Sequence, residues 1–96
     1  MKGRPVRIQP NAQSHLRGAF DWYERQRPGL GREFLNAVEE CLQQIAENPG
    51  LHPIHRGRIR RAMTHRYPYL VFYVIDSTES VVLAILHASR DPRQWP

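Results

Sequence analysis

The hydrophobic period of this chain changes once, from 3.6 residues to 2, and the change falls at Asn48-Pro49-Gly50. Before the break, apolar residues recur at helical spacing; after it they alternate or run together. A chain patterned this way makes its helices first and its sheet second. That is an α+β arrangement rather than a series of alternating βαβ units. Leu16, Ala19, Phe20 and Tyr23 share one face of a segment from Ala12 to Gln26, with Asn11 as the expected N-cap. Phe34, Ala37, Val38, Cys41, Leu42 and Ile45 make a cleaner stripe from Arg32 to Glu47. Pro28-Gly29-Leu30-Gly31 turns the chain between the two, which predicts an antiparallel helical hairpin. Asn48 before Pro49 ends the second helix.

Beyond the break, Ile59, Arg61, Met63 and His65 alternate with Arg58, Arg60, Ala62 and Thr64, the pattern of a strand with a cationic end. Tyr69 to Ile75 is almost wholly apolar, aromatic and β-branched, so it reads as a central strand covered on both faces. The polar run Asp76 to Ser80 joins it as a hairpin to a last strand from Val81 to His87. Val6-Arg7-Ile8 is a short strand at the start, and His52 and His55 fall in a loop. The expected fold is an N-terminal strand, a helical hairpin and a three-stranded antiparallel sheet, in the order β-α-α-β-β-β. Its core should pack Phe34, Val38, Leu42 and Ile45 against Leu16, Phe20 and Tyr23. Both helices should then cover Leu70, Phe72, Val74, Leu83 and Ile85. No linker or repeat divides the chain, so residues 1–96 read as a single domain.

Charge is distributed unevenly. Lys and Arg number 14 against 9 acids, for a net charge of +5. Residues 1–50 hold seven cations and six acids, whereas residues 51–96 hold seven and three. No acid lies between Glu47 and Asp76, where Arg56, Arg58, Arg60, Arg61 and Arg66 gather with His52, His55 and His65. An anionic partner for the second half is the functional expectation, and a solvated basic face is the alternative. No apolar run reaches the ~20 residues that cross a bilayer. The basic start Met-Lys-Gly-Arg is followed by no apolar run of a secretory signal, so the cytoplasm is the expected compartment.

Several chemistries lack their residues. His52-x-x-His55 has no third ligand nearby, and Cys41 lies inside an apolar stripe, so no metal site is expected. No glycine-rich phosphate loop is present, which leaves no cofactor implied. Ser89, His87 and Asp91 are close in sequence but lack a nucleophile elbow. What remains is arginine, histidine and tyrosine on a sheet. Cleavage of RNA through the 2′-hydroxyl needs cations around the phosphorane and groups that move two protons. Arg60 or Arg61 with Arg66 and Arg90 would supply the cations, and His65 or His87 the proton transfers. Strand arginines that are merely solvated, and a histidine that caps a sheet edge, are the alternative.

Four segments carry a family resemblance. Phe20-Asp21-Trp22-Tyr23-Glu24 with Arg27-Pro28-Gly29-Leu30-Gly31-Arg32-Glu33-Phe34-Leu35 resembles the helical hairpin of the RelE/ParE superfamily, the toxic halves of type II toxin–antitoxin pairs. Ile45-Ala46-Glu47-Asn48-Pro49 resembles the family's exit from the second helix. Arg66-Tyr67-Pro68-Tyr69-Leu70-Val71-Phe72-Tyr73 is similar to its arginine-led strand. Leu83-Ala84-Ile85-Leu86-His87 with Arg90-Asp91-Pro92-Arg93-Gln94-Trp95 resembles its last strand and basic C-terminal motif. The resemblance runs from about Val6 to Trp95.

The resemblance implies a toxin neutralised by a small acidic antitoxin, and it implies one of two activities. ParE-like members arrest growth through DNA gyrase; RelE-like members cut mRNA on the ribosome. Trp95 stands near the place where many RelE-like toxins keep a tyrosine, and an indole donates but cannot accept a proton. Arg-Pro-Gly-Leu-Gly and the His87…Arg90-Asp91-Pro92…Trp95 ending resemble the ParE-like branch. The resemblance therefore implies gyrase as target and no enzymatic activity, with Arg58, Arg60, Arg61, Arg66, Arg90, Arg93 and Trp95 binding target or antitoxin. The alternative is a ribosome-dependent endonuclease in which His87, Arg66 and Arg90 are catalytic. A non-toxic basic binding module is a further alternative. In each case the basic strand and the C-terminal motif are expected side by side.

Overall fold

A computed structural model describes residues 3–96. Strand β1 (Val6–Ile8) leads into helices α1 (Pro10–Gln26) and α2 (Leu30–Glu47). Four strands follow: β2 (Ile54–Arg56), β3 (Ile59–Met63), β4 (Tyr69–Ile75) and β5 (Ser80–His87), and a short 3-10 turn spans Pro92–Gln94. The α+β class and the helical hairpin agree with the sequence. The sheet does not have three strands but five, in the order β1-β5-β4-β3-β2, and it is mixed because β1 runs parallel to β5. The added outer strand is β2, formed where the sequence reads as loop. Gly57, at φ 57°, takes the left-handed turn that a side chain resists, so the chain folds straight back from β2 into β3.

Both helices begin two residues earlier than the sequence predicts. Asn11 is not the cap of α1. Gln9 stands there without a side-chain bond, and Pro10 occupies the first turn, where its fixed φ suits a helix and its missing N–H costs nothing. The start of α2 is capped from α1. The Glu24 carboxylate accepts from the backbone N–H of Gly29 at 3.0 Å and of Gly31 at 2.9 Å. A side chain on Gly31 would strike the Phe20 ring at 2.8 Å, so glycine is what lets the two helices approach here. Asn48 caps the end of α2, its N–H donating to the Gln44 carbonyl.

The hairpin lies on one face of the sheet, with α1 over β5 and α2 over β1 and β3. Beneath it Phe34, Val38, Cys41 and Ile45 pack with Val71, Tyr73, Val82 and Ile85. Leu70 and Phe72 are not under the helices, as the pattern suggests; with Ala84 and Leu86 they form a second cluster on the far face. An apolar strand such as β4 carries no sign of which parity faces the helices. On β5 the parity itself changes, because Phe72 pairs with Ala84 while Tyr73 pairs with Val82. Leu83 is the extra residue of that bulge, so Val82 and Ile85 point one way, Ala84 and Leu86 the other.

Candidate functional site

The arginines of β2 and β3 divide by face. Arg60 pairs with Tyr73 on the helix side and is half buried, donating to the carbonyls of His52 at 2.7 Å and Gly50 at 3.3 Å. Arg61 pairs with Phe72 and lies on the far face. Arg58 donates to the Ile75 carbonyl at 2.9 Å, and Arg56 is exposed on the edge strand. None of these, nor Arg66 or Arg90, has a carboxylate within ion-pair distance, whereas Arg7, Arg27 and Arg32 each do. Among the described residues the second half of the chain leaves six of its seven arginines without an ion-pair partner, Arg93 with Asp91 being the exception.

The C-terminal motif reaches the basic strand over the far face of the sheet. Asp91 caps the 3-10 turn, accepting from the Arg93 backbone N–H at 3.0 Å and from its guanidinium at 2.6 and 2.9 Å. That ion pair holds the Asp91 carboxyl below the usual range. The chain then lays Trp95 on Phe72 and His55, with ring centroids 5.6 Å apart in both cases. The Arg61 guanidinium sits 5.8 Å from the Trp95 ring. Strand β4 separates β3 from β5, so the basic strand and the motif are not neighbouring strands. Trp95 is what carries the motif to Arg61 and His55. Its indole N–H is buried there and has no partner among the described residues.

Of the residues expected to act on RNA, four line two clefts that share no lining residue, and Arg60 and Arg61 line neither. Arg66 and His65 line one of about 300 Å³ against α2, facing Glu33 and Glu40. Backbone geometry places Arg66 there. The next residue, Tyr67, has φ 55°, and the buried Thr64 hydroxyl packs against the Arg66 carbonyl at 2.8 Å and accepts from the Tyr69 N–H at 3.1 Å. His87 and Arg90 line the other, of about 350 Å³, between α1 and the end of β5. There they join His15, Trp22 and Tyr69. Sequence reasoning passed over these three. The available signal was Trp22, a large aromatic standing outside the apolar stripe of α1.

In this second cleft the Ser89 hydroxyl is 2.7 Å from His87 Nδ1, and the Ser89 N–H donates to the same nitrogen at 3.0 Å. Asp91 is turned away to Arg93, so the three do not form a relay. The Tyr69 and His87 rings meet edge to face at 5.2 Å. Burial lowers the pKa of His15, and the nearby Arg90 lowers it further.

A family model described as the ParE toxin of type II toxin–antitoxin system, parDE, matches residues 6–92. Among solved structures, a chain from the chromosomal ParDE TA system of P. aeruginosa superposes with a TM-score of 0.78 at 15% identity. The match covers 88% of this chain and 95% of that one. At this identity the likeness is one of fold. No curated protein sequence matches the chain.

Proposed function

The chain belongs to the ParE toxins of type II toxin–antitoxin systems, and from that premise we propose that it arrests growth by docking onto DNA gyrase. The observation that supports docking is the uncompensated run Arg56, Arg58, Arg61 and Arg66. A surface of one sign attracts an acidic partner and needs no fixed catalytic geometry. Phosphodiester cleavage, by contrast, needs its cations and proton carriers around one phosphorus. His87 and Arg90 share a cleft while Arg66 lines another.

The neutralising partner in this reading is an acidic antitoxin. The edge strand β2 suits it: Leu51 is 68% exposed and Ile54 59%, beside Arg56 and Arg58. An acidic, amphipathic segment, disordered when free, would order itself on such an edge as a strand or helix. No helix of the described residues is long and apolar enough to cross a membrane.

The shared cleft of His87 and Arg90 favours a second reading, ribosome-dependent mRNA cleavage. A basic binding module without toxicity is the third. Induced expression with two readouts separates them. Gyrase poisoning brings trapped gyrase–DNA complexes and an SOS response with mRNA intact. Fragmented mRNA with intact DNA would instead support the nuclease, and unharmed growth the binding module. On the docking reading, Arg66→Ala or Arg90→Ala lowers toxicity by degrees, each charged contact being worth about 1.5–3 kcal/mol, and His87→Ala is mild. On the nuclease reading any one of the three costs about 10²–10³-fold in rate. Circular dichroism checks that each variant is folded.

A further inference from the structure

The cleft between α1 and the end of β5 carries three N–H donor side chains, His15, His87 and Arg90, and no carboxylate. His15 Nδ1 accepts the Ile85 N–H at 3.3 Å, and His87 Nδ1 accepts the Ser89 N–H at 3.0 Å. A backbone N–H donates only to an unprotonated nitrogen, so in each neutral ring the proton is on Nε2. Both imidazoles therefore present an Nε2–H. Arg90 adds a guanidinium without a carboxylate partner, close enough to bias the titration of both His15 and Tyr69. A group of donors and a cation with no acid among them is stabilised by an anion.

The helix side of the cleft points to more than an anion. Gly18 stands in the interior of α1, where glycine is disfavoured, yet a Cβ there would meet nothing within 4 Å. No packing within the fold requires glycine. What its absence of a side chain does is leave the floor of the cleft open, one helical turn from Trp22. Trp22 is 52% exposed, with Tyr69 also lining the cleft. An exposed indole beside an anion site is the pairing that takes a nucleotide, base on the ring and phosphate on the donors. A volume of about 350 Å³ lies at the small end of ligand pockets and suits a single nucleotide.

We propose that this cleft binds a nucleoside monophosphate, its phosphate held by Arg90, His15 and His87 and its base stacked on Trp22 over Gly18. The site is independent of which macromolecule the toxin poisons. Occupancy withdraws Arg90 and His87 from the surface open to a macromolecular partner.

Isothermal titration calorimetry of the purified chain with adenosine 5′-monophosphate, adenosine and inorganic phosphate tests it. The monophosphate is expected to bind one to one, at least about tenfold tighter than either fragment. Trp22→Ala and Arg90→Gln should each weaken it about tenfold or more. Both side chains stand outside the core, so these variants fold. Gly18→Leu, which fills the floor, should remove binding, and Arg17→Gln on the same helix should leave it unchanged. No heat with the monophosphate would overturn the proposal. So would equal affinity for inorganic phosphate, undiminished binding by both the Trp22 and Arg90 variants, or binding of a single-stranded oligonucleotide without binding of the monophosphate.

Discussion

Arg60 and Tyr73 face each other across β3 and β4, and both side chains hold the loop that follows α2. The Tyr73 hydroxyl donates to the Pro49 carbonyl at 2.6 Å, and Arg60 donates to Gly50 and His52. Tyr73 is fully buried, and Pro49 is too. A carbonyl left there without a donor has no water to turn to. Tyr73→Phe should therefore cost about 1–3 kcal/mol in urea-induced unfolding, despite the nearly identical shape. A change within a few tenths of a kcal/mol would mean that water reaches Pro49. The same geometry bears on the toxin surface. Substituting Arg60 removes a support of the loop as well as a charge, so its effect on toxicity has to be read against stability, unlike that of exposed Arg56.

At the level of elements, the hairpin derives its position from one helix more than the other. Phe34 of α2 is fully buried and stacks on Tyr23 at 5.0 Å, with the Tyr69 ring at 4.9 Å and Tyr67 at 6.1 Å. It joins both helices to the β3–β4 turn. Leu42, in the same stripe two turns on, is only half buried at the margin of the core. Phe34→Ala should cost about 3–5 kcal/mol, a large share of the stability of so small a domain, and Leu42→Ala distinctly less. Equal losses at the two sites in thermal unfolding would show that the aromatic cluster does not anchor the hairpin. Because Tyr67 and Tyr69 flank the turn that carries Arg66, the Phe34 variant should also loosen that cationic corner.

For the whole molecule, buried titratable groups set the pH range of stability. Burial pushes the Tyr73 hydroxyl up to about 12, and burial among other tyrosines does the same to Tyr23. Their folded pKa values exceed the ordinary value near 10, so the folded state holds more protons than the unfolded one, and stability falls as pH rises from about 10 to 12. At the acid end, burial lowers the pKa of His15 and His52, with Arg90 and Arg60 adding to the effect. The folded state then holds fewer protons, and stability falls as pH drops below about 6.5. Melting temperatures across this range should show a plateau between the two limits; a flat profile beyond pH 10 would mean the tyrosines are solvated.

The sequence by itself determined the helical hairpin, every strand around it but β2, β4 as the central strand and the family. Each of these is written in local spacing: 3.6-residue stripes, an apolar run and motifs within a few residues. It also determined that the second half is cationic, since no acid lies between Glu47 and Asp76. The tertiary structure decided what depends on pairs distant in the chain. Placing β1 beside β5 joins residues over seventy positions apart. The bulge at Leu83, which sends Ile85 under the helices and Leu86 to the far face, appears only once β4 fixes the register. Nothing local in the tail shows that Trp95 covers Phe72, where burying an indole outweighs leaving a short polar tail free. His15 and Trp22 come together with His87 and Arg90 only because α1 packs across β5, and no local pattern records which strand a helix will cover.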